Sequence, residues 1–448
     1  MLPSLLQSTL TRALRYRAAL PTRRVSPDPD AIRALTGLDE PLPQHPTDPE
    51  TILAQLDELG SPATVTSAGG RYFGFVTGSD LPAALAANWL AAAWDQNAAL
   101  GVMSPIAAKL EELSTRWLVD LLGFPPETVA GFVTGATMAN FTCLAAARHA
   151  LLEKHGWNVE TQGLFGAPEI KVVVGEEVHA SLLKALGMLG LGRERVIRVP
   201  VDDQGRMRAD FLPLLDDRTL VCIQAGNVNT GAFDPAQEIC EQAHKAGAWI
   251  HVDGAFGLWA LACPPRAHLA RGVPDADSWA VDAHKWLNVP YDSGIAFCRH
   301  PDALRAAMTV LAPYLLPTAR PEPSHFTPEM SRRARGIEIW AALKSLGRTG
   351  LAELIEHNCQ LATRFADGLR ARGHTVLNEV VLNQVLVSFG DAETTTRIIT
   401  ELQAEGTFWA GSTVWQGHTA MRISVSSWAT TEADVDRCLE VVERYTRI

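Results

Sequence analysis

The chain has 448 residues, of which 47% are hydrophobic and 20% are charged. This composition excludes a disordered chain, and the length predicts a core divided among two or three structural units. The formal net charge of −11 excludes a general nucleic-acid binder, which needs a basic surface to neutralise phosphates.

The seven cysteines are scattered, and none forms a Cys-x-x-Cys pair. This usage is typical of free thiols in a reducing compartment, so we expect a cytoplasmic protein without a zinc site. The uncharged stretch between Glu127 and Arg148 is long enough for a membrane span, but it contains Gly131, Gly135 and Asn140. A strand, a tight turn and the start of a helix explain it better.

The N-terminal segment 1–28 contains several arginines and no acidic residue before Asp28. This pattern is typical of a transit peptide, or of an amphipathic helix that packs on the body or on a partner subunit. The Pro- and Asp-rich segment Ser26–Glu50 predicts a linker or extended arm. We therefore expect a helical arm over residues 1–60 that contributes to a dimer contact.

Apolar residues recur at helical spacing first in Pro82–Trp94 and Pro105–Leu122. In the middle of the chain, short apolar runs alternate with helical patterns. The predicted strands are Ile170–Val174, Leu220–Gln224, Trp249–Val252, Trp279–Val281 and Gly294–Cys298, and the predicted helices include Ala180–Leu189 and Pro235–Ala246. The alternation predicts an α/β fold with a mainly parallel sheet and helices on both faces, within a large domain of residues 61–312.

The remainder of the chain changes character at the Pro-rich stretch Pro313–Pro328, which predicts an irregular or mobile loop. A long helical pattern begins at Ser331. Strand, helix, strand and helix patterns then follow at Gln384–Ser388, Glu393–Gln403, Met421–Val425 and Glu432–Arg444. We expect residues 313–448 to contain a mobile loop and a smaller α+β domain.

Two chemically active side chains follow neighbouring predicted strands. Lys285 comes just after Trp279–Val281, where partial desolvation would activate its amine for attack on an aldehyde; a solvated surface lysine is the alternative. Asp253 follows Trp249–Val252, and the small residues after it would let a flat ring approach the backbone. A buried Asp needs a cationic partner such as a protonated pyridine nitrogen, unless it caps the next helix.

A turn and a histidine complete the pattern. Gly135, Ala136 and Thr137 follow a short strand and open a helix, so their backbone N–H groups and the Thr137 hydroxyl could bind a phosphate; a Thr N-cap without a ligand is the alternative. His179, which follows Ile170–Val174, could stack on a planar cofactor or be a structural histidine. The order of phosphate turn, His, Asp and Lys matches fold-type I pyridoxal-phosphate (PLP) enzymes.

The chain resembles the group II PLP-dependent amino-acid decarboxylases, the family of aromatic-L-amino-acid, tyrosine and glutamate decarboxylases, from roughly Arg71 to the C-terminus. The matching segments are His251–Ala255, Asp282–Trp286 with Val289–Gly294, Ser331–Arg333 leading to Trp340, Tyr72–Phe75, and Ser104–Pro105 with Glu111 and Glu112. The resemblance implies the fold-type I PLP-dependent transferase fold, decarboxylation of an L-amino acid through a Lys285 Schiff base and an external aldimine, and a homodimer with the active site at its interface.

The resemblance also implies residue roles. Lys285 carries the cofactor, His179 stacks on its ring, and Asp253 pairs with its pyridine nitrogen. The other implied cofactor-binding residues are Gly135, Ala136, Thr137, Asn227, Ala255, Asp282 and His284. The implied substrate-side residues are Phe75, Thr77, Gln96 and Arg422, although a structural surface role for Arg422 is equally open.

Two departures from the family pattern bear on the reaction. Family members that decarboxylate aromatic amino acids carry a proton-donating Tyr on a mobile loop, whereas the only Tyr of Pro313–Met330 is Tyr314, at its start. The expected slot falls near Pro323, so either His325 donates the proton or the reaction differs. Asn227, which stands where the family has Gly-Thr-Thr after a strand, could donate to the cofactor's phenolic oxygen.

Three hypotheses follow. The first is an L-amino-acid decarboxylase. The second is an aminotransferase, or an enzyme that couples decarboxylation to oxidative deamination and forms an aldehyde, on the same fold. The third is a non-catalytic homologue that keeps the fold as a binding module, which the intact Lys285, Asp253 and His179 disfavour.

Overall fold

The computed structural model describes residues 2–310 and 321–447. Tyr314 and the first part of the predicted Pro-rich loop therefore lie outside the described residues. The chain divides into a small unit, Met1–Ser79, Thr363–Leu377 and Val385–Ile448, and a large unit, Asp80–Ala362 and Asn378–Gln384. The predicted boundaries after residues 60 and 312 differ from this division, because segments from both chain ends pack within one unit. The domain prediction itself stays a prediction.

The helices and strands of the described residues alternate through the middle of the chain. The helices are α1 (Leu2–Ala19), α2 (Pro29–Ala34), α3 (Pro49–Gln55), α4 (Ser61–Ala63), α5 (Pro82–Trp94), α6 (Pro105–Leu122), α7 (Ala136–Glu153), α8 (Val159–Gln162), α9 (Ala180–Met188), α10 (Ala236–Lys245), α11 (Pro301–Met308), α12 (Gly336–Ala371), α13 (Ala392–Glu405) and α14 (Glu432–Thr446). The strands are β1 (Val129–Val133), β2 (Lys171–Gly175), β3 (Ile197–Val199), β4 (Thr219–Gln224), β5 (Trp249–Asp253), β6 (Ser278–Asp282), β7 (Gly294–Cys298), β8 (Thr375–Val376), β9 (Gln384–Ser388), β10 (Gly411–Trp415) and β11 (His418–Ser424).

The N-terminal region is more helical than the sequence predicts. The helix expected before Asp28 is α1, but the segment expected to be extended contains α2 and a 3-10 turn at Leu35–Leu38. The Asp28 side chain accepts the Asp30 N–H, and Pro29 occupies the first helical position. Both features favour helix initiation, so the prediction of an extended arm across Ser26–Glu50 is wrong for these residues.

The large unit is built on a seven-stranded sheet with the order β1-β7-β6-β5-β4-β2-β3. Strands β2 to β6 are parallel, and β7 runs antiparallel to both β6 and β1, so β1 points in the same direction as the other parallel strands. Every residue of β4, β5, β6 and β7 is buried, as expected for a sheet covered on both faces. The predicted α/β class with a mainly parallel sheet is confirmed.

Apolar packing fixes α7 against this sheet. Leu144 and Leu151 of α7 lie in one buried cluster with Val174 of β2, Leu186 of α9 and Trp249 of β5. Each such side chain stabilises the fold by about 1.5–3 kcal/mol relative to an exposed position. The start of α7 is therefore held firmly at the end of β1. No helix among the described residues is both long and apolar enough to cross a membrane.

The small unit contains an antiparallel sheet in the order β10-β11-β9-β8. Leu386 of β9, Trp415 of β10 and Ala420 of β11 form its buried cluster. Helices α13 and α14 have polar N-caps, Asp391 and Thr431, each of which accepts a backbone N–H of the first turn. The predicted smaller α+β domain is confirmed in its strand and helix content.

Candidate active site

The active-site candidates gather where parallel strands end. In the register of the sheet, Gly294 at the start of β7 lies opposite Val133 at the end of β1 and Asp282 at the end of β6. A Cβ at Gly294 would lie only 2.5 Å from Gly135 Cα, so this approach requires glycine. The predicted phosphate turn therefore packs directly against β7, the strand that lies between β1 and β6.

Asp282 joins the phosphate turn to the candidate lysine. Its Oδ1 accepts the Ala136 N–H at 2.5 Å, and its Oδ2 lies 2.9 Å from Lys285 Nζ. The side chain of Lys285 is 17% exposed and that of Asp282 is 4% exposed. The expectation that the Ala136 N–H is free to bind a phosphate is wrong in this structure, because the carboxylate occupies it. Thr137, half-buried in the first turn of α7, has an N–H that no intrahelical carbonyl can accept.

His284 lies beside the same carboxylate. Its Nδ1 accepts the Ser293 N–H at 3.1 Å, its Nε2 lies 3.5 Å from Asp282 Oδ1, and its ring stacks on Tyr291 with centroids 4.2 Å apart. Burial lowers the pKa of His284, and the charge of Lys285 adds to this effect although Asp282 opposes it. A neutral His284 whose Nδ1 accepts must carry its proton on Nε2.

Asp253 ends β5, the strand next to β6, and is 6% exposed. Its Oδ2 accepts the Asn140 Nδ2–H at 3.1 Å, and its Oδ1 accepts the Ala255 N–H at 3.3 Å. Ala255 itself is half-buried. Asp253 and Lys285 thus follow neighbouring parallel strands, as the sequence predicts.

Asn227 follows β4, the strand on the other side of β5. Its Oδ1 accepts the N–H groups of Asn229 and Thr230, at 2.8 and 3.2 Å. Its Nδ2 is buried and has no hydrogen-bond partner within residues 2–310 and 321–447, and the same holds for Ser293 Oγ. Buried donors are nearly always paired, so these two atoms indicate a polar group that the described chain does not supply.

These residues fit a phosphorylated pyridine aldehyde. Lys285 provides an amine for the aldehyde, Asp253 provides a carboxylate for the ring nitrogen, and Asn227 Nδ2 is a donor without a partner. The small residues Gly135 and Ala255 leave room at the backbone. The exception is the Ala136 N–H of the predicted phosphate turn, which Asp282 already binds.

His179 follows β2 and lies at the start of α9. It caps the N-terminus of α9, its Nδ1 lies 2.7 Å from Ser181 Oγ, and the side chain is exposed. The hydrogen bond to Ser181 fixes the direction of the imidazole ring. Its stacking role stays a prediction.

His325 lies elsewhere in the large unit. It belongs to the 3-10 turn Pro323–Phe326, which packs against β1 and α11, and its Nδ1 accepts the Glu322 N–H at 3.2 Å. Within the described chain, His325 makes no contact with Asp253 or Lys285. Burial lowers the pKa of His325, the charge of Arg305 adds to this effect, and Glu322 opposes it.

The predicted substrate residues divide between the two units. Gln96 is in the large unit, and its Nε2 donates to Trp94 O at 2.9 Å. Phe75, Thr77 and Arg422 are in the small unit. Phe75 is 63% exposed, Thr77 is buried, and Arg422 is half-buried on β11, where burial lowers the pKa of its guanidinium.

The sequence predicts no role for Asn140, His251 or Ser293, although all three lie in the motifs that carry the predicted site residues. The signal for His251 was present, since residues two apart on a strand share a face and Asp253 is two positions further on. The contact of Asn140 with Asp253 joins residues far apart in the sequence and carries no local signal.

The fold and the residues at the carboxyl ends of the parallel strands define this protein as a PLP-dependent enzyme. Residues 29–390 match the profile of the pyridoxal-dependent decarboxylase conserved domain, and the chain belongs to that family. It is accordingly a PLP-dependent amino-acid decarboxylase, a carbon–carbon lyase.

Proteins that are similar to this chain include amino-acid decarboxylases. The chain is 27% identical over 348 residues to an aromatic-L-amino-acid decarboxylase of Bacillus atrophaeus, which covers 75% of this chain and 70% of the relative. It is 32% identical over 257 residues to an aspartate 1-decarboxylase of Aliivibrio fischeri, which covers 54% of this chain and 47% of the relative. The crystal structure of Oryza sativa TDC with PLP and tryptamine has a TM-score of 0.91 at 21% identity and covers 99% of this chain and 97% of that one, a likeness of fold.

Proposed function

We propose that this enzyme removes the α-carboxylate of an L-amino acid with an aromatic side chain, and that Lys285 holds the cofactor. The observation that carries the proposal is the pairing of Lys285 with Asp282 after β6, beside the buried Asp253 at the end of β5. An amine and a carboxylate at neighbouring strand ends are the two groups that a pyridine aldehyde requires. Lys285 would bind its aldehyde carbon, Asp253 its ring nitrogen, and Asn227 Nδ2 its phenolic oxygen.

The phosphate would lie at the start of α7. Thr137, Ser293 Oγ and His284 Nε2 are the candidate donors there. When bound, PLP supplies an electron sink for the pair that remains as carbon dioxide departs. His179 would cover the ring and exclude water from its face.

Asp282 would position the lysine amine. Its Oδ2 lies 2.9 Å from Lys285 Nζ, while its Oδ1 accepts the Ala136 N–H. The carboxylate would therefore hold the amine at the cofactor site, where the amine must be unprotonated to attack an aldehyde.

The aromatic substrate class rests on the small unit. Phe75 stacks on Trp409 with ring centroids 5.4 Å apart, and Trp409 stacks on Tyr72 at 5.3 Å. The ring of Phe75 is exposed at the end of this stack, where an aromatic side chain would gain favourable contacts. The relative named for aromatic amino acids supports this class, and the relative named for aspartate provides the competing one. Thr77, Gln96 and Arg422 remain predicted substrate residues.

His325 is proposed as the proton donor to the substrate carbon. Its Nδ1 accepts the Glu322 N–H, so a neutral ring carries its proton on Nε2. Since His325 does not contact Asp253 or Lys285 of its own chain, this role requires a homodimer in which His325 reaches the site of the other subunit. If His325 does not donate, the aldehyde-forming reaction is the alternative, and its products distinguish the two.

The homodimer is supported by exposed apolar side chains in both units. They include Leu6, Leu14 and Leu42 in the small unit and Trp89, Trp94 and Val102 in the large unit. Interfaces between subunits bury exposed apolar side chains, so these residues are the candidates for the dimer contact. A cytoplasmic location is supported by the cysteines, because all seven are buried and none forms a disulfide within the described residues.

The test combines one variant with a substrate panel. Lys285→Ala should abolish both the near-visible absorbance of the lysine-bound cofactor and turnover, whereas the exposed-lysine control Lys184→Ala should retain both. Aromatic and acidic L-amino acids should be assayed separately for carbon dioxide, aldehyde and keto acid. Retained turnover in Lys285→Ala would refute the lysine assignment, and turnover of aspartate alone would refute the aromatic class.

A further inference from the structure

A chain of buried polar side chains lies behind Asp253. Trp249, His251 and Asp253 alternate along β5 and therefore face the same side of the sheet. Helix α7 covers this side and contributes Asn140, and β6 contributes Ser278, which is in register with His251. None of the five residues is more than 6% exposed.

The five side chains form a continuous series of hydrogen bonds. The distances are 3.0 Å from Trp249 Nε1 to Ser278 Oγ, 3.0 Å from Ser278 Oγ to His251 Nδ1, 2.8 Å from His251 Nε2 to Asn140 Oδ1, and 3.1 Å from Asn140 Nδ2 to Asp253 Oδ2. The series ends on the carboxylate proposed to bind the cofactor's ring nitrogen.

The direction of each bond follows from the donors available. The indole N–H of Trp249 can only donate, so Ser278 Oγ accepts from it. Burial lowers the pKa of His251 to about 3, so the ring is neutral and has a single N–H. With Asn140 Oδ1 as an acceptor, that proton is on Nε2. His251 Nδ1 therefore accepts the hydroxyl proton of Ser278.

The reverse direction is unfavourable at both ends. Rotating the Asn140 amide by a half turn would place its Oδ1 against Asp253 Oδ2, which repels it unless Asp253 takes up a proton. His251 would then donate from Nδ1 to Ser278 Oγ, and the Ser278 hydroxyl would lose the acceptor it now has. A buried donor without an acceptor is strongly unfavourable. The series is thus coupled to the ionised form of Asp253.

We infer that Asn140, His251 and Ser278 are positioning residues for the decarboxylation, forming a one-directional hydrogen-bond relay that fixes the orientation of Asp253 and keeps its carboxylate an acceptor toward the cofactor's ring nitrogen. The relay uses one lone pair of Oδ2, and the Ala255 N–H uses one lone pair of Oδ1. The remaining lone pairs of the carboxylate are left for the ring. This inference rests on the proposed role of Asp253.

The first arm of the test removes the donor nearest to Asp253. Asn140→Leu keeps the number and branching of the side-chain heavy atoms but can neither donate nor accept a hydrogen bond. In the holoenzyme, kcat should fall about tenfold while KM for the amino acid stays within about twofold, because the lost interaction acts on the cofactor ring. With isotopically labelled PLP, the NMR resonance of the ring nitrogen should report deprotonation about one pH unit lower than in the wild type.

Two further variants separate positioning from structure. Thr142→Val removes a buried hydroxyl of the same helix, which donates to Met138 O, and it should leave the pH dependence of the ring-nitrogen resonance as in the wild type. His251→Leu should reproduce the effect of Asn140→Leu. His251→Gln should restore most of the wild-type behaviour, since its amide can replace the Nε2–H donor.

The outcomes are decisive. Asp253→Asn serves as the reference: if it leaves the ring resonance unchanged, the role of Asp253 fails and with it the proposed site. If Asp253→Asn shifts the resonance but Asn140→Leu does not, or if Thr142→Val shifts it equally, the relay alone is refuted. If Asn140→Leu does not fold, Ser278→Ala takes its place and should give a smaller shift in the same direction. The absence of a shift in Ser278→Ala would overturn the relay.

Discussion

Lys285 Nζ lies 2.9 Å from Asp282 Oδ2, and the other oxygen of the same carboxylate accepts the Ala136 N–H. One buried side chain therefore ties the candidate cofactor amine to the first residue of helix α7. Any change at Asp282 should alter both the lysine and the phosphate turn.

The first prediction concerns Asp282→Ala in the apoenzyme. The variant leaves the Ala136 N–H buried without an acceptor and Lys285 without its carboxylate, so the free energy of unfolding should fall by about 1–3 kcal/mol. Asp282→Asn, which can still accept the Ala136 N–H, should lose less. Denaturant unfolding of both variants measures this. Equal losses would show that the helix-start hydrogen bond contributes little.

The second prediction concerns the contact of Gly294 with Gly135. In Gly294→Ala the new Cβ would meet Gly135 Cα at 2.5 Å, so the phosphate turn must move away from β7. We expect a loss of about 1–3 kcal/mol in the free energy of unfolding and weaker PLP binding, measured by titrating the apoenzyme with PLP.

Gly187→Ala is the matched control for this prediction. Gly187 lies in helix α9, and a Cβ there would meet no atom within 4 Å. The substitution should stabilise the protein by about 0.5–1 kcal/mol and leave PLP binding unchanged. Wild-type PLP affinity in Gly294→Ala would contradict the proposed location of the phosphate.

Local patterns in the sequence predicted much of the fold. The bounds of Pro82–Trp94, Pro105–Leu122 and Gly294–Cys298 agree with the structure because a continuous apolar run or a helical repeat begins and ends sharply there. Strands β3, β8 and β10 were missed. All three contain exposed residues and lie at sheet edges, so burial does not impose an apolar run on them.

The site was predictable only in part, for a different reason. Asp253, Lys285 and Asn227 follow strands, and parallel strands bring their carboxyl ends together whatever the details of packing. The bond from Ala136 to Asp282, in contrast, joins residues 146 positions apart and depends on the register between β1, β7 and β6. Sequence spacing does not contain that register, so the carboxylate at the helix start could not be foreseen.

The third prediction concerns a buried ion pair within the matched family motif. Arg332 binds Glu111 of α6 through two bonds, of 2.6 and 2.8 Å, and their side chains are 1% and 8% exposed. Glu111→Ala would leave the guanidinium buried without its anion, so the free energy of unfolding should fall by about 3–5 kcal/mol.

Glu112→Ala on the same helix is the control for the ion pair. Glu112 pairs with Lys109, and both side chains are about half exposed. Its loss should change the free energy of unfolding by less than about 1 kcal/mol. Denaturant unfolding of the two variants under the same conditions provides the comparison, and similar losses would show that burial does not strengthen the Arg332 pair.

The fourth prediction concerns a cluster of titratable side chains at the N-terminal ends of β5 and β6, opposite to the ends that carry Asp253 and Lys285. His300 Nε2 lies 2.8 Å from Asp277 Oδ1, and His244 Nε2 lies 3.5 Å from Asp277 Oδ2, which also accepts the Ile250 N–H. Burial alone would raise the pKa of Asp277, but the two histidines and the N–H outweigh it and lower the value to about 2. The hydrogen bond to Asp277 raises the pKa of His244 above 6.5, with help from Asp275 and against burial and Arg299.

The two pKa shifts depend on pH in opposite ways: the contribution of Asp277 to stability is lost as the pH falls, and that of His244 is lost as the pH rises. A carboxyl with a lowered pKa stabilises the folded state above its ordinary value of 3.8 and loses this contribution as the pH falls toward about 2. A histidine with a raised pKa stabilises the folded state below 6.5 and loses this contribution as the pH rises through the folded-state value. The cluster should therefore contribute most between 3.8 and 6.5.

His244→Gln tests this directly, because glutamine can donate to Asp277 but carries no charge. The free energy of unfolding should differ most from the wild type within that pH window, and the difference should shrink as the pH rises above it. His45→Gln, at an exposed position, is the control and should leave the free energy of unfolding unchanged. If the deficit of His244→Gln were the same at every pH, the charge of His244 would have no part in the stability, and the hydrogen bond alone would account for the contact with Asp277.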